Sequence, residues 1–184
     1  RYFAPTLADD APWITLDRLE SGHAVRVMRV KVGEAIILFD GRGNEAEGTV
    51  AAIERDAWHC RCEPPRAVDR EPGTELVLGI ALPKPERAKE LIERLTELGV
   101  RRVIPLITER VQRAPSEKLL EKLRKIVVEA CKQSGRNALL EIAEPMRTPA
   151  FFGEPACHEP WRHSTERSPS IAVESFRWLL HPDG

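Results

Sequence analysis

Aromatic residues are scarce in this chain. One Tyr, five Phe and four Trp make up 5% of 184 residues. No run of 18 or more apolar residues occurs, so no helix of ordinary membrane-spanning length is encoded here. The opening Arg1-Tyr2-Phe3 lacks the apolar core of a secretory signal. There is no GxSxG elbow, no GxxxxGK[ST] loop and no HExxH pair, which sets aside serine-hydrolase, P-loop and zincin chemistry. Cysteine is sparse as well: Cys60, Cys62, Cys131 and Cys157. Cys60 and Cys62 are too close for an ordinary structural bridge, and a zinc site needs about four ligands. Reduced thiols with no metal are the expectation.

A single sign of charge is also absent: the formal net charge is −1. That value hides an asymmetry. Residues 84–136 hold 14 Lys and Arg against 8 Asp and Glu, whereas residues 1–71 hold 10 against 13. A basic middle segment suits a polyanionic partner. It equally suits two amphipathic helices with wet, Lys-rich faces.

Two rhythms divide what is present. Residues 23–63 read as short strands, among them 35–39, 49–53 and 58–62, with a dense turn cluster at Asp40-Gly41-Arg42-Gly43-Asn44. Residues 17–29 could instead open with a short helix capped by Asp17. A small all-β domain over residues 1–65 follows, and the polar stretch 66–74 reads as a linker. From residue 75 the pattern changes. Residues 76–82 form a continuous apolar run, expected as a strand buried on both faces. Residues 86–98 predict a helix with Ala88, Leu91, Ile92, Leu95 and Leu98 on its apolar face, stopped by Gly99. Residues 103–107 read as the next buried strand. Residues 116–134 predict a second helix, capped by Ser116 and ended by Gly135, with Cys131 in its inner stripe. Residues 139–142 predict a third strand. The β–α–β order implies an α/β unit with a parallel sheet, over residues 75–184. Residues 143–170 read as a loop-like insertion, with Phe151-Phe152 as an anchor. Residues 173–180 could be partly helix or strand, and Trp178-Leu179-Leu180 reads as a final core strand.

Three clusters carry candidate chemistry. Arg26, Arg29 and Lys31 lie in the β unit, where arginine can grip phosphate bidentately. Their plain alternative is a solubilising strand face. Thr108-Glu109-Arg110 follows a strand, at the end where α/β proteins place ligands. A local ion pair would explain it equally well. Gln133-Ser134-Gly135-Arg136 ends the second helix, where Gly135 suits a left-handed cap and Arg136 the negative dipole end.

The order of these strings resembles a family. His23, the run Val25-Arg26-Val27-Met28-Arg29-Val30-Lys31-Val32-Gly33-Glu34, and Leu38-Phe39-Asp40-Gly41-Arg42-Gly43 are similar to the first domain of the bacterial 16S ribosomal RNA 3-methyluridine methyltransferases. Ala81-Leu82-Pro83-Lys84, the TELGV string at 96–100, the TER string at 108–110 and Glu129-Ala130-Cys131-Lys132-Gln133-Ser134-Gly135-Arg136 continue the match in order and spacing. The resemblance covers residues 1–142 well and 172–184 weakly.

It implies an N-terminal PUA-like β-barrel that holds RNA, followed by a SPOUT-type α/β domain with a trefoil knot. The protein would work as a cytoplasmic homodimer without metal. It would transfer a methyl group from S-adenosyl-L-methionine to N3 of a uridine in 16S rRNA of the small ribosomal subunit. On this reading Arg1, Arg26, Arg29, Lys31 and Arg42 contact RNA phosphate, and Glu109, Arg110, Gln133, Ser134 and Arg136 position substrate. Leu180, His181 and Pro182 resemble part of the first cofactor loop. The catalytic base is not assigned. The family's GPEGG-like and LGxxILRxETA-like segments do not occur in these residues. The SPOUT domain is therefore expected to lack its knot segments, with weak or no cofactor binding and no methyl transfer by the chain as it stands. A non-catalytic RNA- or ribosome-binding module is the alternative.

Overall fold

The computed structural model describes residues 1–7, 12–16, 30–54, 57–110 and 113–153. Arg26, Arg29, His23, Cys157, Leu180, His181 and Pro182 lie outside the described residues, as do the helix considered at 17–29 and the strand expected at 178–180.

The first half is a six-stranded sheet in the order β1-β3-β4-β5-β2, with β6 also pairing β4. Its strands are β1 (Tyr2–Phe3), β2 (Trp13–Leu16), β3 (Ala35–Phe39), β4 (Asn44–Ile53), β5 (Trp58–Cys62) and β6 (Arg66–Ala67). Alternation decides its register. Ile14 and Leu16, Ile36 and Leu38, Ala46 and Val50, and Trp58, Cys60 and Cys62 all point to one buried cluster. Trp58 is fully buried and meets Tyr2 edge-on, with ring centroids 5.4 Å apart. The pairing of β4 with β5 shifts register between Val50 and Ala52. Pairing continues past Pro65, because Arg66 and Ala67 bond to Glu45 and Asn44.

The expected turn at 40–44 is present, and its physics is local. Buried Asp40 accepts the N–H groups of Arg42 (2.7 Å) and Asn44 (3.0 Å) on Oδ1 and the Asn44 side-chain amide on Oδ2 (2.6 Å). The turn is also a joint. The Gly41 carbonyl accepts from Leu139 N–H, and Gly43 N–H donates to the Asn137 carbonyl.

The second half is a parallel sheet. β7 (Val77–Ile80), β8 (Arg102–Ile107), β9 (Glu141–Ile142) and β10 (Met146–Arg147) all run the same way, with β8 between β7 on one side and β9 and β10 on the other. Helix α1 (Pro85–Glu97) joins β7 to β8, and α2 (Glu117–Ser134) joins β8 to β9. The core between sheet and helices contains Ala88, Ile92, Val103, Leu120, Leu123, Val127, Cys131 and Ile142. Phe39, from the first sheet, is fully buried in this second core.

Both helix ends obey their cap residues. Ser116 accepts from the Leu119 N–H at the start of α2, and Gly135, at φ 79°, ends it in the left-handed conformation.

Three expectations need correction. The run at 76–82 shortens to Val77–Ile80 and is not buried on both faces: Val77 is 39% exposed, because β7 pairs only with β8 among the described residues. Leu98 does not join the apolar face of α1; it is the C-cap and is exposed, and the buried stripe is Ala88, Ile92 and Thr96. Thr96 tolerates burial because its hydroxyl donates to the Ile92 carbonyl at 2.7 Å. Finally, the stretch from 143 is not all loop. Met146–Arg147 pairs with β8, and α3 (Thr148–Gly153) follows it. Phe151 lies over β7 at Gly79, where a Cβ would stand 2.6 Å from its ring. A two-residue strand is too short for periodicity to reveal.

Candidate RNA interface and substrate site

Register places the predicted residues at two ends of the parallel sheet. Ile80 pairs with Pro105, and Arg147 with Ile107, so the segments after β7, β8 and β10 emerge at the same C-terminal edge. Glu109 and Arg110 stand there, both exposed. The Thr148 hydroxyl donates to the Ile107 carbonyl at 3.2 Å and ties the start of α3 to this edge. Lys84, the residue before α1, sits at the same edge and is also exposed.

Gln133, Ser134 and Arg136 occupy the opposite end. Arg136 donates to the carbonyls of Thr96 (3.1 Å) and Val100 (2.9 Å), which lie just before β8. The six residues of β8 span roughly 20 Å at about 3.3 Å each, so the Glu109 and Arg136 clusters do not share one pocket within the chain.

Arg136 is almost wholly buried, and its contacts explain why that is tolerable. Its guanidinium pairs with Glu71 of the linker at 2.5 Å while the carbonyls of Thr96, Gly99 and Val100, at and just past the end of α1, take the remaining donors. Gln133 and Ser134 are exposed, and Ser134 donates back to the Ala130 carbonyl.

Arg1 and Arg42 lie at the seam between the halves. Arg1 donates to Glu45 at 3.0 Å and to the Asn137 side-chain oxygen, and its guanidinium stands 5.3 Å from the Phe39 ring centre. Arg42 is exposed at the turn tip, where its backbone bridges to Ala138. Lys31 is exposed beside the Gly33 turn, and its backbone N–H donates to Glu34 at 3.0 Å.

Linker residues that sequence patterning passed over complete the seam. Arg70 bonds Glu45 at 2.7 Å, the Asn137 side chain at 2.8 Å and the Gly135 carbonyl at 3.2 Å. Pro72 packs against Gly99 so closely that a Cβ there would lie 2.5 Å from its ring. A short polar stretch between two units carries no periodic signal, which is why it reads as a mere connector.

Arg70, and then Arg1, hold the Glu45 carboxyl below its ordinary value of 4.5, against the upward push of burial. A depressed acid contributes stability that is full above its unfolded value and lost as pH falls through the folded one. Wild-type protein should therefore lose more stability between about pH 5 and about pH 3 than Glu45→Gln does. Urea unfolding at both pH values checks this; parallel losses would refute it.

Cys60, Cys62 and Cys131 are free thiols buried in the two cores. Burial pushes the Cys60 and Cys131 thiols up to about 11, and Cys62 is raised too. Among the described residues no cluster of His, Cys, Asp or Glu could hold a metal ion, and no helix is long and apolar enough to cross a membrane.

A family model described as an RNA methyltransferase domain matches residues 70–159, and one described as an RNA methyltransferase PUA domain matches residues 16–61. The two matches fall on the two halves and in the same order as the two cores. The chain belongs to this RNA methyltransferase family.

Its relatives in that family include the Ribosomal RNA small subunit methyltransferase E of Synechocystis sp., 34% identical over 135 residues that cover 72% of this chain and 43% of the relative. The protein of the same name from Bacillus subtilis is 28% identical over 140 residues, covering 74% of this chain and 55% of the relative. The chain thus spans about half the length of these relatives.

Among solved structures, the Ribosomal RNA small subunit methyltransferase E of Neisseria gonorrhoeae, bound to S-adenosyl methionine, is similar at TM-score 0.72 and 26% identity, over 80% of this chain and 61% of that one. A Legionella pneumophila protein solved with bound SAM is similar at TM-score 0.72 and 25% identity, over 89% and 67%. The first half is accordingly a PUA-like domain and the second a methyltransferase α/β domain.

Proposed function

We propose that the protein methylates N3 of a uridine in 16S ribosomal RNA, with S-adenosyl-L-methionine as methyl donor. The observation that carries this reading is the family match on both halves, supported by the S-adenosyl methionine complex of the Neisseria gonorrhoeae relative. The proposal includes a cytoplasmic homodimer acting on the small ribosomal subunit, and the family's trefoil knot.

The described residues at the C-terminal edge are mostly exposed and do not by themselves enclose a cofactor of this size. Leu180, His181 and Pro182, which the family resemblance assigns to it, lie outside the described residues.

What the chain's own residues can do at this edge is orient a base and aid loss of its proton. Uridine N3 must lose its weakly acidic proton as a methyl group arrives, and a carboxylate or a water held by one eases that. Glu109 and Arg110 are the substrate-positioning candidates there. A target in folded RNA must also be turned out of its stack to reach such an edge. Lys31 and Arg42 are exposed and can meet phosphate from the PUA-like half. Arg1, already engaged with Glu45 and Asn137, can add its charge to that surface.

Deleting the gene and digesting the small-subunit RNA to nucleosides tests the reading. The 3-methyluridine signal should disappear from 16S rRNA and return on complementation. Its persistence in the deletion strain would overturn the proposal.

A further inference from the structure

The cations of the α/β half are partnered differently at the two ends of the sheet. At the N-terminal end, arginines meet carboxylates. Arg94 pairs with Glu97 at 2.8 Å, Arg102 with Glu141 at 3.3 Å and Arg136 with Glu71 at 2.5 Å. At the C-terminal edge the pattern reverses. Lys84 and Arg87 at the start of α1, Arg110 and Arg113 after β8, and Arg147 at the end of β10 are all exposed, and none makes an ion pair among the described residues.

The neighbouring carboxylates do not fill the gap. Glu86 is taken by Lys89 at 3.0 Å, and Glu117 by Arg124 at 2.6 Å. Glu109 is the carboxylate of these segments that no ion pair takes among the described residues, and it stands among five such cations. An edge that gathers cations from three separate segments, while leaving them without protein counter-charges, is poised for an external polyanion.

The geometry fits a nucleic acid strand. The three segments follow β7, β8 and β10, and adjacent strands lie about 4.8 Å apart, so the cations span roughly 10 Å before side-chain reach is added. Four of the five are arginines, whose planar fork matches phosphate oxygens bidentately.

We propose that Lys84, Arg87, Arg110, Arg113 and Arg147 form an RNA phosphate track along the C-terminal edge of the parallel sheet. The track is separate from the exposed cations of the PUA-like half. It rests on the RNA methyltransferase reading above and adds to it where the backbone of the substrate runs. The phosphates flanking a turned-out uridine would lie across this edge, beside Glu109. Lys31 and Arg42 would hold RNA elsewhere on the protein.

The test compares two double variants of the full gene product that each lose two positive charges. One is Arg87→Ala with Arg147→Ala, at the edge. The other is Lys122→Ala with Lys125→Ala, on the exposed face of α2. All four side chains are exposed, so folding should survive, and thermal unfolding verifies it. Binding to transcribed 16S rRNA is measured across a KCl series.

Each lost phosphate contact lowers the slope of log affinity against log salt by about 0.7–0.9. The edge variant should therefore show a slope smaller by about 1.5 and weaker binding at every salt concentration, while the α2 variant matches wild type. Equal behaviour of the two variants, or an edge variant indistinguishable from wild type, would overturn the track and leave the methyltransferase reading intact. Wild-type protein without affinity for 16S rRNA would overturn both.

Discussion

Gly41→Ala is expected to lower stability by about 3 kcal/mol, although it adds only one methyl group. Two costs combine. Gly41 has φ 77°, in the left-handed region, where a Cβ costs about 1–2 kcal/mol. That Cβ would also stand 2.8 Å from Leu139 Cγ and 3.0 Å from Phe3 Cε2, and overpacking of this kind costs about 1–3 kcal/mol. Both neighbours pack on the second core, so the methyl group wedges the two halves apart instead of disturbing the turn alone. For a chain of this length the melting temperature should drop by roughly 6–12 °C. Gly43→Ala is the control. It has φ 104° with no atom within 4 Å of the added Cβ, so only the backbone cost of about 1–2 kcal/mol applies. Calorimetry of the two variants separates the effects. Equal losses would mean that the close approach at the seam is unimportant.

Arg136→Ala should cost about 3–5 kcal/mol, the range for breaking a buried ion pair from one side. The substitution strands Glu71, and it removes the donors that the Thr96, Gly99 and Val100 carbonyls share. Arg136→Lys should recover only part of the loss, because a single ammonium cannot serve Glu71 and the helix end together. Urea denaturation of both variants, with Glu71→Ala and the double variant, gives the coupling energy. A residue that only positioned substrate would leave the unfolding midpoint where it was. A midpoint unchanged in Arg136→Ala would therefore discard the structural role.

These two positions also show what can be read from sequence alone. Gly41 belongs to a turn cluster that any reader of the pattern would mark, and the turn is there. Its contact with Leu139 is invisible in sequence, because nothing periodic links residues so far apart. The caps of α2 are legible for a local reason: Ser116 and Gly135 act within one turn of themselves. Arg136 reads as a cap residue or a positioning group, while the structure sends its guanidinium to a different helix and to the linker. Leu98 and Thr96 exchange roles for a similar reason. Hydrophobicity favours Leu98, but the helix ends before it can turn inward, and Thr96 hides its hydroxyl on the helix's own backbone. Of the candidate site, the Glu109-Arg110 edge is legible because it follows a strand. Arg147 is not, since its strand exists only through pairing with β8.

The seam described above also sets a schedule for synthesis. The described residues of the first core all lie between Tyr2 and Cys62, so its apolar side chains are complete once that stretch leaves the ribosome. Asn137, which receives Arg1 and Arg70 and meets Gly43, emerges about 75 residues later. At about 5–20 residues per second, that is a wait of roughly 4–15 s. During that interval the buried end of Phe39 has no second core to enter, and Glu45 has Arg1 and Arg70 without the Asn137 oxygen that aligns them. The newborn PUA-like half therefore passes several seconds with an apolar ring and a charged cluster on its surface, at the stage when a chaperone can still reach them.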